Sequence, residues 1–100
     1  PYTTYRLRVS RQNETKWTTT RRYREFRSLM EKLKSKYPGK VPHGFPPKKI
    51  LRNMNPLLID RRHMALQTWL DKVLLEPTLG NSPEVQLFLE EVKYEEGLVE

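Results

Sequence analysis

The spacing of apolar residues changes once, abruptly, at Arg21-Arg22-Tyr23. Upstream the period is two. Tyr5, Leu7 and Val9 alternate with Arg6, Arg8 and Ser10, so Tyr2 to Ser10 reads as a strand with one apolar and one charged face. Arg11-Gln12-Asn13-Glu14 is turn-like, and Thr15 to Thr20, rich in β-branched residues around Trp17, reads as a second strand. Downstream, Tyr23, Phe26, Leu29/Met30, Leu33 and Tyr37 recur at steps of three and four, the mark of an amphipathic helix. Two strands alone are marginal in water, so helices must cover one face of the hairpin.

Pro38-Gly39 stops the first helix. Residues 38–56 then hold five of the eight prolines, a loop too long for an idle connection. A second helix is expected from Asp60, with Ile59, Leu66, Trp69/Leu70 and Val73/Leu74 on its apolar face and Pro77 and Gly80 at its end. Ser82-Pro83 is an N-cap followed by proline, opening a short helix over Val85, Leu87, Phe88 and Leu89. Trp17, Trp69 and Phe88 read as core, and the acidic tail after Glu91 as a fraying end. The expected class is α+β: a small antiparallel sheet of two to three strands packed against three to four helices, with a long Pro-rich loop between the first and second helices. A chain of 100 residues makes this one domain.

The net charge of +7 is unevenly placed. Residues 1–62 carry 17 Lys/Arg against 4 Asp/Glu, whereas residues 63–100 carry 2 against 8. A field confined to one part of a domain suits an anionic surface or nucleic acid. With no cysteine, neither a disulfide nor a thiolate site is available, which fits a reducing compartment. There is no nucleophile elbow and no phosphate-binding P-loop. His43 and His63 lack metal-ligand spacing, so no metal, cofactor or catalytic residue is expected and the chain does not read as an enzyme.

Binding chemistry fares better. A phosphate monoester requires several charge-assisted donors in fixed directions, and arginine offers a planar fork that engages two oxygens at once. Arg22 falls where strand gives way to helix, so the helix N-terminus adds its dipole there. Tyr23 offers a ring to a flat, C–H-rich sugar or cyclitol face. Ile50, Leu51 and Met54 sit in a basic loop with no period to bury them. They either cap the core or dip into a bilayer. His63 adjoins Arg62 and reads as a surface residue.

The order of these motifs resembles a phox-homology (PX) domain, the lipid-binding module of sorting nexins and related trafficking proteins. The resemblance covers essentially the whole chain. It rests on Trp17-Thr18-Thr19-Thr20-Arg21-Arg22-Tyr23-Arg24-Glu25-Phe26 with Leu29 and Leu33, on Phe45-Pro46-Pro47-Lys48-Lys49-Ile50-Leu51, and on Ile59-Asp60-Arg61-Arg62 with Leu66 and Leu70. It implies a phosphoinositide-binding, membrane-targeting module, with phosphatidylinositol 3-phosphate on endosomes as ligand and a peripheral cytoplasmic location.

By the same resemblance Arg22 grips the 3-phosphate, Tyr23 packs on the inositol ring, Lys48 contacts the 1-phosphate, and Arg62 hydrogen-bonds the 4- and 5-hydroxyls. Arg24 supports the pocket. Arg21, Lys49 and Arg52 would form a secondary basic rim, and Ile50, Leu51 and Met54 would insert into the membrane. The pattern departs from the family in two respects. Only two strands precede the first helix, so a first strand is missing or lies outside residues 1–100. Pro42 and Pro46 are one residue too far apart for the usual Pro-x-x-Pro, which leaves Lys48 and Lys49 as alternatives for the phosphate contact. Protein partners belong to the rest of a parent protein. Nucleic acid is the rival reading, favoured by charge alone, since only Tyr23 stands among the arginines as a stacking ring. A protein-interaction module built on the Pro-rich loop is weaker, because Pro42 to Pro47 lacks the spacing that proline-reading domains take.

Overall fold

A computed structural model describes residues 3–11, 13, 15–48 and 56–90. Strand β1 (Thr4–Ser10) pairs antiparallel with β2 (Lys16–Arg22), with Tyr5 opposite Arg21 and Thr4 opposite Arg22. Arg11 N–H donates to the Thr15 carbonyl at 2.9 Å and closes the hairpin. Along β1 the alternation is obeyed: Tyr5 and Leu7 are buried, Val9 is half-buried, and Arg6, Arg8 and Ser10 are exposed. Strand β1 begins at Thr4, with the expected start at Tyr2 outside the described residues, while β2 begins one residue later than expected and runs on through Arg22.

Among the described residues four helices follow: α1 (Tyr23–Lys36), α2 (Pro56–Leu75), the single turn α3 (Pro77–Gly80) and α4 (Pro83–Phe88). Helix α1 ends as its sequence requires. Tyr37 N–H bonds back to the Leu33 carbonyl at 2.8 Å, and Gly39 then takes a φ of 82°, a left-handed conformation that side chains disfavour. Helix α2 starts four residues earlier than expected. Pro56 occupies its first position, where a missing N–H costs nothing and the fixed φ is already helical. Pro77 and Gly80 do not simply end α2. They bound their own helical turn, capped by the Glu76 carboxylate accepting from Leu79 N–H at 2.8 Å. Ser82 caps α4 as expected, its hydroxyl accepting from Val85 N–H.

The core lies between the inner face of the hairpin and the helices. Tyr5 and Leu7 meet Phe26, Leu29 and Leu33 of α1, Leu66, Trp69, Leu70 and Val73 of α2, and Leu79, Val85 and Phe88 beyond. Phe26 and Phe88 pack edge to face at 4.9 Å. Leu74, expected on the apolar face, is 41% exposed, and Trp17 is only half-buried. The reason for Trp17 is polar. Its indole N–H donates to the Leu89 carbonyl at 2.6 Å, and the Arg11 guanidinium covers its ring at 5.1 Å.

Trp17 is one of three residues on β2 that hold the end of α4. Thr19 donates its hydroxyl to the Glu90 carbonyl at 2.6 Å. Arg21 donates Nε to the Phe88 carbonyl at 3.0 Å and reaches the carbonyls of Leu87 and Glu90 at 3.5 and 3.3 Å. The last carbonyls of a helix have no partner within it and carry partial negative charge. Alternate side chains of one strand, ending in a cation, satisfy both needs.

Candidate functional site

The junction of β2 and α1 builds the site. Arg22 is the N-cap of α1, with extended backbone (φ −89°, ψ 160°). Its N–H donates to Glu25 Oε1 at 2.8 Å, the reach-back half of a capping box. Arginine has no acceptor to offer the first-turn N–H groups, so its side chain takes no part in the cap. Tyr23 follows as the first residue of α1, half-buried.

Tyr23 is the hub. Its hydroxyl donates to the Pro46 carbonyl at 2.7 Å. Its ring lies 5.7 Å from that of Phe45, and the Arg62 guanidinium stands 4.2 Å from its centroid. At that distance a cation on a ring face gains from the quadrupole. Phe45 in turn packs its edge on Trp69 at 5.0 Å, and Trp69 donates its indole N–H to the Pro42 carbonyl at 3.2 Å. Prolines donate nothing, but their carbonyls accept, and here two are taken by aromatic side chains from α1 and α2. The Pro-rich loop is thereby anchored at Pro42 and Pro46, and exposed Lys48 follows two residues later.

The structure thus gathers Tyr23, Arg62 and the Pro46 segment around one ring, with Arg22 adjoining in sequence. Arg24 is exposed on α1. Arg21 corrects the sequence expectation. It was expected on the basic rim, yet it is 6% exposed, turned inward and committed to the carbonyls after α4. Strand alternation explains this, because Arg21 shares its face with Trp17 and Thr19. Lys49, Arg52, Ile50, Leu51 and Met54 lie outside the described residues.

Three neighbours were not foreseen. Arg27, one turn beyond Tyr23, is pushed above its ordinary value first by hydrogen bonding to Tyr23 and further by Glu31, to which its Nε donates at 3.1 Å. The signal was present as an i, i+4 pair on α1. Phe45 supplies the second aromatic wall. Tyr5, a core residue by pattern, has its phenol pushed up by burial, opposed by the Arg62 guanidinium beside it. His63, expected at the surface, is half-buried with its ring tilted against Tyr5 at 5.5 Å. Among the described residues no group of three or more His, Asp or Glu is placed to hold a metal ion, and no helix is long and apolar enough to cross a membrane.

A small α+β fold that sets a basic, aromatic-walled site at a strand-to-helix junction defines a module for anionic ligands. The PX-domain family model matches residues 9–92, and the chain belongs to that family of phosphoinositide-binding, membrane-targeting modules. It is 32% identical over 89 residues to mouse sorting nexin-16, covering 88% of this chain and 26% of that protein. It is 34% identical over 94 residues to the Arabidopsis thaliana PX domain-containing protein EREL1, covering 90% of this chain and 13% of that protein. The chain therefore spans about a quarter or less of the length of these relatives. Among solved structures, a designed CISK-PX domain superposes with a TM-score of 0.83 at 29% identity, covering 89% of this chain and 83% of that one. The mouse SNX19 PX domain with a bound sulphate ion gives 0.72 at 34% identity, covering 89% and 77%.

Proposed function

We propose that this domain recognises phosphatidylinositol 3-phosphate and brings its parent protein to endosomal membranes. The observation that carries the reading is the meeting at Tyr23 of three segments distant in sequence: the β2–α1 junction, the Pro-rich loop and α2. In this reading Arg22 grips the 3-phosphate, assisted by the positive end of the α1 dipole. Tyr23 packs against the inositol ring. Arg62, stacked on Tyr23, directs its remaining N–H groups at the 4- and 5-hydroxyls. Lys48 or Lys49 neutralises the 1-phosphate at the membrane side. Each charge-assisted bond contributes about 1.5–3 kcal/mol, so the affinity requires several of them together.

The same reading places Ile50, Leu51 and Met54 in the bilayer, with Lys49 and Arg52 near the anionic headgroups. One buried Leu or Ile contributes about 1.5–3 kcal/mol and each surface cation about 1 kcal/mol, which makes docking reversible and dependent on both signals. A sulphate bound to one similar PX domain supports an anion site in this fold. The test is sedimentation with liposomes that differ only in headgroup. Arg22→Gln should abolish preference for the 3-phosphate lipid while leaving the fold intact. Unchanged preference would exclude the assigned pocket.

A further inference from the structure

One polar atom next to the site is left without a good partner. Tyr5 is 2% exposed, and its hydroxyl oxygen is buried with no hydrogen bond of acceptable geometry among the described residues. Buried polar groups are seldom left so, and an exception calls for an explanation. The ring is immobilised on three sides. His63 lies 5.5 Å away, Phe26 meets it edge-on at 6.4 Å, and the backbone register sets it opposite Arg21, beside the Arg22 cap. The Arg62 guanidinium, next in sequence to His63, is near enough to the Tyr5 phenol to oppose the upward push that burial gives its ionisation, and the phenol of Tyr23 adds to that push. Arg62 therefore bears on two tyrosines in different ways. Tyr23 presents a ring face, and Tyr5 presents an oxygen that can accept.

We propose that Tyr5 is a positioning residue of the headgroup site. Its hydroxyl accepts a hydrogen bond from Arg62 when ligand is bound and fixes the direction of the guanidinium. A guanidinium on a long, flexible stem is ordered only when its plane and one of its edges are both specified. Tyr23 holds the group over its ring face at 4.2 Å but leaves it free to turn about the ring normal. Tyr5 specifies the edge and stops the spin. The remaining N–H groups then point at the ligand without a further search, which is preorganisation. On binding, Arg62 donates one edge to the Tyr5 hydroxyl while the ligand takes the opposite edge. This inference rests on the reading of Arg62 as a headgroup contact.

The experiment is calorimetric titration of the full chain with short-chain, water-soluble phosphatidylinositol 3-phosphate. The proteins are the wild type, Tyr5→Phe, Arg62→Lys and the double variant, each also followed by thermal unfolding. Tyr5→Phe keeps the ring and its packing, so the unfolding midpoint should hold or rise. Its affinity should fall about three- to tenfold. Arg62→Lys keeps the charge but loses the planar fork. In that background Tyr5→Phe should have no further effect, which a general structural defect would not reproduce. Wild-type affinity in Tyr5→Phe, or the same loss with and without Arg62, would overturn the positioning role. Wild-type affinity in Arg62→Lys would instead sink the headgroup contact itself, and the role of Tyr5 with it.

Discussion

Arg21 and Arg22 are adjacent and identical in kind, yet one is turned inward and the other caps α1, so replacing each in turn should separate stability from the proposed binding. Arg21→Met removes four hydrogen bonds to carbonyls: one at 3.0 Å and three at 3.3–3.5 Å, the longer ones near the outer limit of useful geometry. A bond from a charged donor contributes about 1.5–3 kcal/mol. Counting the short bond in full and the three long ones together as about one more bond gives roughly 3–6 kcal/mol, the scale of a broken buried hydrogen-bond network. For a domain of this size each kcal/mol moves the midpoint by about 4–8 °C, so the lower figure alone predicts a fall of about 12–24 °C. Arg22→Met should shift stability by under about 1 kcal/mol while removing lipid binding. Urea unfolding followed by circular dichroism, beside liposome binding at a temperature where both variants are folded, reads both quantities. Equal stability losses for the two arginines, or an Arg21→Met variant within about 0.5 kcal/mol of wild type, would refute the assignment.

Gly80→Ala should destabilise the domain by about 1–3 kcal/mol in urea, because an added Cβ would stand 2.7 Å from the Leu74 carbonyl oxygen, which is backbone and cannot swing aside. The Lys36 ammonium donates to Glu84 at 2.7 Å and holds its carboxyl below the ordinary 4.5, with a Tyr37 hydroxyl bond adding to the effect. That contribution is complete above the unfolded pKa and is lost as pH falls through the lower folded one. Lys36→Met should therefore flatten the acid limb of the stability profile, and an unchanged limb would show the pair to be idle. Replacing Ile50 and Leu51 together with aspartate should weaken liposome binding and leave soluble-headgroup affinity intact. An equal loss of both would assign these residues to folding rather than to the membrane.

Much of the architecture was legible because it is local. The alternation of Tyr5, Leu7 and Val9, the three-and-four spacing from Tyr23 to Tyr37, and Ser82-Pro83 each reflect rules acting over a few residues. The failures share a cause. Pro56 and Pro77 read as loop punctuation, and whether a proline breaks a helix or begins one depends on what the next turn packs against. Arg21 was misplaced because a run of like charges suggests a surface. Carrying the strand period one step past Thr20 puts it on the inward face with Trp17 and Thr19. What could not be read was the destination of those side chains, since backbone carbonyls are the same in every residue type. For the site, Tyr23, Arg62 and the Pro46 loop were legible as motifs. Their convergence, and the share of Phe45 and Tyr5 in it, depends on contacts across 22 residues or more, such as Tyr23 to Phe45.

The grip of β2 on the carbonyls after α4 also works as an index. Sliding that strand by one residue would turn Trp17, Thr19 and Arg21 to the opposite side of the sheet and break every bond to Leu89, Glu90 and Phe88 at once. Only one alignment keeps all three, and in it Arg22 is the residue that arrives at the mouth of α1. Which of two consecutive arginines stands at that mouth is thus counted off from a segment more than sixty positions away in sequence.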